Sequence, residues 1–262
     1  MTLLVLPQDG VLTLRLNRPE TRNAINDEMM RALVDALDAA ATDDSGRVIV
    51  LEGAGEHFCG GADIVARNAD DGPRPRAASI QRRLPTQAHR LIPQVMRIQV
   101  PVVCKVRGCA VGIGFQLALA ADFCVATSDA RFWEPFSTRG FTPDSGATWL
   151  LPRRVGELRA RELLLLGREL TGAEAAEWGA VHRAVPPTEL DATTAELVER
   201  LAAGPTVSLG LTKWLLAEGS GAALEDHLPN EAFAMELSSR SEDFREGLAA
   251  FREKRPPQFG GR

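Results

Sequence analysis

The sequence predicts an α/β fold, and three observations support this prediction. Apolar and polar residues alternate on both sides of Gln8-Asp9-Gly10, which is the pattern of a β-hairpin. Short apolar runs typical of buried strands then alternate with segments of helical spacing through the first half. From Gly156 onward the spacing is mostly helical. At 262 residues, the chain could form one large domain or two smaller ones.

The elements of the first half follow in order. The hairpin ends at Pro19, and apolar residues recurring at helical spacing predict a helix between Asp27 and Thr42. The apolar runs "RVIVLEG" and "VPVVCKVRG" predict two buried strands. A short apolar helix is predicted from Ile113 to Ala121, with a further strand in "DFCVAT". Strands and helices therefore alternate through the first half of the chain.

The rest of the chain contains one irregular segment and a helical tail. The segment from Arg67 to His89 is rich in Pro, Arg and Asp and has poor periodicity, so we predict a mobile flap there. Thr171, followed by Glu174, predicts a helix that begins with a capping box. Further helices are predicted from Glu189 to Ala203 and in three amphipathic stretches beyond it. Their apolar stripes require the core or another subunit as a partner.

Composition excludes several classes of protein. The net charge of -5, with 45% hydrophobic and 25% charged residues, is that of an ordinary globular protein and disfavours a sequence-independent nucleic-acid binder. No apolar run approaches the roughly 20 residues of a membrane span, and the N-terminus lacks a basic region before its apolar run. We therefore expect a cytoplasmic protein with no nucleic-acid or membrane partner.

The cysteines and histidines do not predict a metal site. The four cysteines form no C-x-x-C pair and lie among apolar or small residues, so we expect buried, reduced thiols. The four histidines are scattered without the spacing of metal ligands. We expect no metal and no separate cofactor.

Two glycine-rich loops follow predicted strands. "GAGEHFCGGADI" follows "RVIVLE", and "GCAVGIGF" follows "VPVVCKV", each ending where a helix is expected to begin. Such turns can present free backbone N–H groups at neighbouring strand ends and so form an anion or oxyanion site. The alternative is that the glycines only permit tight turns. Neither loop matches the usual nucleotide-binding motifs.

Five stretches taken together are more specific than either loop. "NRPETRNAIN", "FCGGADI", "PVVCKVRGCAVGIGFQLALAAD", "PDSGATWLLPRRVG" and "AFREKR" occur in the order and spacing of the crotonase superfamily, and the chain resembles its enoyl-CoA hydratases and isomerases over nearly its whole length. The resemblance implies repeated β-β-α units over residues 1–200 and a helical trimerisation region over 201–262. It also implies a homotrimer or dimer of trimers, and an acyl-CoA substrate whose coenzyme A is not a separate cofactor.

The resemblance also implies which residues bind this substrate. The backbone N–H groups of Ala62 and Ile113 would donate to the thioester carbonyl and stabilise an enolate. Arg22, with Ala24 following, would lie beside the coenzyme A phosphates, and without the resemblance a surface charge is the simpler interpretation of Arg22. The remaining implied substrate-binding and loop residues are Gly60, Gly61, Asp63, Ile64, Gly112 and Phe136, with Phe251 and Lys254 reaching coenzyme A from a neighbouring subunit. We expect Asp63 to be a helix N-cap and not a catalytic group.

The residues that move protons in hydratases of this family are missing. At the positions of their two glutamates this sequence has Gln116 and Phe136, and an amide cannot act as a general base. Asp144 occupies a position that is acidic in several isomerases, and it is our candidate base if it is partly buried against Phe136, Phe141 or Trp149. The alternative is that Asp144 caps the following helix.

Glu134 is the second candidate acid. An extended segment would direct it to the same side as Phe136, so it could replace the missing glutamate, but we rank it below Asp144 and expect a surface role. These residues favour an enzyme that shifts a double bond in an enoyl-CoA with one carboxylate. The alternatives are a hydratase or dehydratase with relocated acid and base, and a coenzyme A ester-binding protein without catalysis.

Overall fold

A six-stranded sheet forms the centre of the molecule. The computed structural model describes residues 1–63, 76 and 78–262. In spatial order the central strands are β1 (Leu3–Gln8), β2 (Val11–Leu16), β3 (Val48–Gly53), β4 (Val102–Val106), β6 (Phe123–Thr127) and β9 (Arg183–Val185). β1 and β2 are antiparallel, and every later pair in this sheet is parallel. A smaller sheet has the order β5 (Cys109–Val111), β7 (Arg131–Trp133) and β8 (Glu169–Thr171).

The described residues also form α-helices, which we number in chain order. They are α1 (Asp27–Ala40), α2 (Ser79–Arg83), α3 (Ala88–Arg97), α4 (Ile113–Ala120), α5 (Ala147–Val155), α6 (Glu157–Leu165), α7 (Gly172–Glu177), α8 (Leu190–Ala202), α9 (Thr206–Gly219), α10 (Leu224–Ser238) and α11 (Glu242–Glu253). Short 3-10 turns lie at Pro19–Thr21, Leu84–Thr86, Ser137–Arg139 and Pro187–Glu189.

The local signals in the sequence correspond to the observed turns and caps. Asp9 and Gly10 both have positive φ, +48° and +78°, which suits the two-residue turn between β1 and β2. The Asn26 side chain accepts a hydrogen bond from the Met29 N–H at 2.8 Å and caps α1. Thr171 and Glu174 form the predicted capping box at the start of α7. The predicted hairpin and helix starts are therefore confirmed.

The central sheet is covered on both faces. Ile49 and Leu51 of β3 belong to the main core, which also contains buried side chains of α1, α3 and α4. Val48 and Val50 point to the other face and pack with Val198 of α8. Burial on both faces explains why this strand is a continuous apolar run and does not alternate.

The predicted flap falls mostly outside the described residues. These exclude residues 64–75 and 77, and with them most of the segment from Arg67 to His89. The end of the segment is helical in α2 and at the start of α3, contrary to the irregular structure we predicted. The helix α3 is stabilised by burial of Leu91, Ile92 and Val95.

The C-terminal helices expose many apolar side chains. From α9 to α11 these are Val207, Leu216, Leu224, Leu228, Phe233, Met235, Leu237, Phe244, Leu248 and Phe251. None of the helices in the described part of the chain has the length and hydropathy needed to cross a membrane. The four cysteines are buried and free, as predicted.

A buried ion pair attaches α9 to the sheet. Lys213 is 7% exposed, and its Nζ lies 2.7 Å from Asp122 Oδ2 and donates to the carbonyls of Val95 and Val100. Asp122 also accepts a hydrogen bond from the Val102 N–H at 2.7 Å. The pair thus connects the tail with the amino end of β4.

We expect Lys213→Met to lower the free energy of unfolding by about 3 kcal/mol, because it leaves the half-buried Asp122 carboxylate without its cationic partner. The measurement is urea unfolding at one fixed protein concentration. The control is Glu218→Gln, which breaks the exposed, 4.0 Å pair with Arg97 and should cost less than about 1 kcal/mol. Equal losses of unfolding free energy in the two variants would contradict a stabilising role for the Lys213–Asp122 ion pair.

Candidate active site

The two glycine-rich loops lie side by side at the carboxyl end of the parallel strands. The Cys59 N–H donates to the Cys109 carbonyl, and the Val111 N–H donates to the Cys59 carbonyl, each at 2.9 Å. Gly61 has a φ of +102°, and a Cβ there would lie 3.2 Å from the Val111 carbonyl oxygen. Glycine therefore permits both the backbone conformation and the close approach of the loops.

The N–H groups of Ala62 and Ile113 lie at the ends of these two loops. Around Ala62, the Ile25 N–H donates to the Gly61 carbonyl at 2.8 Å, and the Asp63 N–H donates to Ile25 at 2.9 Å. Ile113 is the first residue of α4, whose first N–H groups have no partner within the helix. Within the described part of the chain, neither N–H takes part in a backbone hydrogen bond.

A second contact holds the start of α4 in place. The Gly112 N–H donates to the Trp133 carbonyl at 2.9 Å, and the Gly112 carbonyl accepts from the Gln116 N–H at 3.0 Å. Gly114 packs directly on the first loop, since a Cβ there would lie 2.6 Å from Cys59 Cβ. The position of the Ile113 N–H therefore depends on β7 as well as on both loops.

The segment that carries Arg22 is attached to the first loop. The Gly60 N–H donates to the Arg22 carbonyl at 2.7 Å. Arg22 is exposed and has a φ of +55°. Burial raises the pKa of the Cys109 thiol, and the nearby positive charge of Arg22 opposes this effect. The guanidinium of Arg22 is thus close enough to the second loop to act on a group in it.

Two residues of this segment were not predicted from the sequence. Asn23 is fully buried with a φ of +57°, and its amide donates to the carbonyls of Ala54 and His57 at 2.9 and 2.6 Å. Arg18 donates from Nη1 to the Ala24 carbonyl at 2.7 Å and to Asp63 Oδ2 at 2.8 Å. The motif "NRPETRNAIN" contains both side chains, but their partners become evident only in the fold.

Of Asp63 and Ile64, the structure describes only Asp63. Asp63 is 8% exposed and forms an ion pair with Arg18. Ile64 and the residues that follow lie outside the described residues, so the expected capping role of Asp63 stays a prediction. The ion pair attaches the end of the first loop to the Arg22 segment.

Glu134 is buried, so the expectation of a surface role was wrong. Its side chain and that of Gln116 are fully buried, and Gln116 Nε2 lies 3.4 Å from Glu134 Oε2. Because the Trp133 carbonyl accepts from Gly112, the residue after Trp133 is held next to α4. Burial raises the pKa of Glu134 well above its ordinary value, the Gln116 hydrogen bond lowers it, and the negative charge of Asp144 raises it further.

Asp144 does not cap the following helix with its side chain. The N-cap of α5 is Gly146, and no side chain caps this helix. The Asp144 carboxylate instead accepts a hydrogen bond from the Ser145 hydroxyl at 2.9 Å, and Ser145 has a φ of +53°. Asp144 is half-buried. The left-handed conformation of Ser145 turns the chain before α5 begins, which explains why the capping alternative was wrong.

Of the three aromatic residues expected around Asp144, Phe136 is buried and the other two are exposed. Phe136 is 5% exposed and contacts Phe141 edge to face, with ring centroids 5.4 Å apart. Phe141 and Trp149 are 42% and 39% exposed. Phe136 is thus the one of the three that water does not reach, and its expected contact with the substrate stays a prediction.

The remaining predicted residues lie at the end of the chain. Phe251 is 83% exposed on α11, and Lys254 follows this helix with a φ of +55°. Their expected contact with coenzyme A across a subunit boundary stays a prediction. No cluster of three or more metal-ligating side chains occurs among the described residues.

Comparisons with known proteins identify the family of the chain. The family model "Enoyl-CoA hydratase/isomerase" matches residues 7–262. The chain is 41% identical to 1,2-epoxyphenylacetyl-CoA isomerase of Escherichia coli K12, covering 97% of each chain. It is 35% identical to 2,3-dehydroadipyl-CoA hydratase of the same organism, covering 99% of each. A crystal structure of enoyl-CoA hydratase from Bacillus anthracis superposes with a TM-score of 0.92 at 30% identity, covering 100% of each chain. The chain belongs to the enoyl-CoA hydratase/isomerase family, within the crotonase superfamily.

Proposed function

We propose that this enzyme isomerises an acyl-CoA thioester by shifting a double bond through an enolate. The observation that carries the proposal is the environment of the Asp144 carboxylate. This carboxylate is half-buried and does not cap a helix, and its negative charge raises the pKa of Glu134 beside α4. The positions of the two hydratase glutamates are occupied by Gln116 and Phe136. One carboxylate is sufficient for a double-bond shift, because the proton it removes is the proton it returns.

The proposed reaction begins with the thioester carbonyl accepting hydrogen bonds from the N–H groups of Ala62 and Ile113. The Asp144 carboxylate removes a proton from the α-carbon of a β,γ-unsaturated acyl chain, and the electron pair moves onto the thioester oxygen. The two donors stabilise this charge where it develops. When the enolate collapses, Asp144 returns the proton to the γ-carbon, and the product is the α,β-unsaturated thioester.

The coenzyme A part of the substrate would bind along the Arg22–Ala24 segment. The exposed guanidinium of Arg22, close to the second loop, suits a phosphate group. We propose that Phe251 and Lys254 of a neighbouring subunit complete this site in a homotrimer or dimer of trimers. The apolar side chains exposed from α9 to α11 support an assembly that covers them.

The relatives suggest two further substrate tests. The relative at 41% identity is named for isomerisation of 1,2-epoxyphenylacetyl-CoA, so a ring epoxide is a second candidate substrate for the same acyl-CoA site. Another relative is named as a hydratase. Loss of crotonyl-CoA absorbance in water would favour hydration, with Glu134 or Asp144 acting through water.

Asp144→Asn should lower isomerisation about a hundredfold or more, because the amide cannot take up the substrate proton. The measurement follows conversion of a β,γ-unsaturated acyl-CoA, and separately of its α,β isomer, in heavy water by mass spectrometry. Acyl-CoA binding should persist. The matched control is Asp35→Asn on the exposed face of α1. Retention of wild-type turnover in the Asp144 variant would remove this residue from the mechanism.

Gly114→Ala should lower kcat about a hundredfold, which corresponds to loss of one oxyanion donor at about 3 kcal/mol. The new Cβ would lie 2.6 Å from Cys59 Cβ and displace the start of α4. The same heavy-water assay measures the effect, and circular dichroism checks that the variant is folded. Gly221→Ala, where a Cβ meets nothing within 4 Å, is the control. Equal kcat values in both variants would contradict the proposal that kcat depends on the position of the start of α4.

Arg22→Ala should raise KM for the acyl-CoA about tenfold with little change in kcat, because a phosphate contact is the same in the ground and transition states. The difference from wild type should shrink as salt is added, since exposed charges are screened. Arg31→Ala on α1 provides a control for loss of an exposed arginine. A salt-independent change in kcat would contradict phosphate binding by Arg22.

A further inference from the structure

Gln116 and Glu134 form a pair in which each side chain has one unused oxygen. Gln116 Nε2 and Glu134 Oε2 are 3.4 Å apart, whereas Gln116 Oε1 and Glu134 Oε1 are buried without a hydrogen-bond partner among the described residues. Both side chains are fully buried. Two unpaired buried acceptors in one contact carry a substantial desolvation cost.

A proton on Glu134 would allow both unused oxygens to take part in a hydrogen bond. A carboxylic acid has one O–H donor and one carbonyl acceptor, and a primary amide has the complementary pair. The Glu134 O–H can donate to Gln116 Oε1 while Gln116 Nε2 donates to the other Glu134 oxygen. An ionised Glu134 could only accept and would leave the amide oxygen unpaired.

The charges around Glu134 also favour the neutral acid. Asp144 is the charged group that acts on Glu134 from the loop before α5, and no ion pair within the described residues involves Glu134. From α4, the neutral Gln116 faces it. Glu52 is also buried, but unlike Glu134 it has cationic partners, since it pairs with Arg15 at 2.5 Å and with Lys105.

We infer that Glu134 is a positioning residue that stores a proton in the folded enzyme and forms a reciprocal acid–amide pair with Gln116. This inference rests on the proposed function. The pair is the second connection between the end of β7 and the first turn of α4, beside the hydrogen bond from Gly112 to Trp133. It holds the Ile113 N–H in place and keeps a second negative charge away from the enolate.

Measuring proton release on unfolding tests whether Glu134 is protonated in the folded enzyme, and it requires no substrate. Burial raises the folded-state pKa of Glu134 above its unfolded value. If Glu134 keeps its proton at pH 7 in the folded enzyme, as inferred, unfolding releases that proton, and the corresponding stability is lost as pH rises through the folded-state pKa. Calorimetric unfolding at pH 7 in two buffers of different ionisation enthalpy should release about one more proton from wild type than from Glu134→Gln. Glu52→Gln, the control, should match wild type because burial is outweighed by its cationic partners and the pKa of Glu52 is lowered. Equal release from wild type and Glu134→Gln would overturn the inference.

Kinetics test the positioning role. Glu134→Gln can still form a reciprocal amide–amide pair with Gln116, whereas Glu134→Ala cannot. We expect kcat of the alanine variant to be about tenfold below that of the glutamine variant, with similar KM, because an imprecisely held donor weakens transition-state stabilisation. Equal kcat values would overturn the positioning role. If the alanine variant does not fold, the proton-release measurement still decides whether Glu134 stores a proton.

Discussion

The candidate site depends on the backbone pairing between the two glycine-rich loops. Cys59 hydrogen-bonds to Cys109 and to Val111, and these bonds join segments that are about 50 residues apart in the chain. Parallel strands deliver both loops to the same edge of the sheet, and glycine lets them approach closely. The pairing thereby brings together the two loops that end at Ala62 and Ile113, without requiring any side chain to place them. The proposed oxyanion site uses only the backbone N–H groups of these residues, so neither needs a functional side-chain group.

Much of the fold and part of the site could be predicted from the sequence. The hairpin turn at Asp9-Gly10 and the capping box at Thr171 are local signals, and local interactions formed them. The positions of the two loops followed from the order of strands and helices. Residues whose role depends on distant partners were harder to predict. Asn23 is an ordinary polar residue in the sequence, yet its amide bonds to carbonyls 31 and 34 residues away.

The structure differs from expectation at both acidic residues for tertiary reasons. Glu134 is buried because the contact of Trp133 with Gly112 holds it next to α4, and no local pattern reveals this contact. The sequence around Asp144 resembles a helix cap, but the left-handed Ser145 separates the carboxylate from the helix start. The same departure from local rules leaves the Asp144 carboxylate without a helix-capping contact, which supports the role of base proposed for it.

The ion pair between Lys213 and Asp122 lies at one end of β4, and the candidate active site lies at the other. The C-terminal helices are fastened at the amino end, near Val102, while the second glycine loop begins after Val106 at the carboxyl end. These ends are roughly 13 Å apart at the usual rise per residue. Substitutions that alter the exposed apolar surface of α9 to α11 can therefore leave the backbone of the second glycine-rich loop, at the other end of the same strand, unchanged.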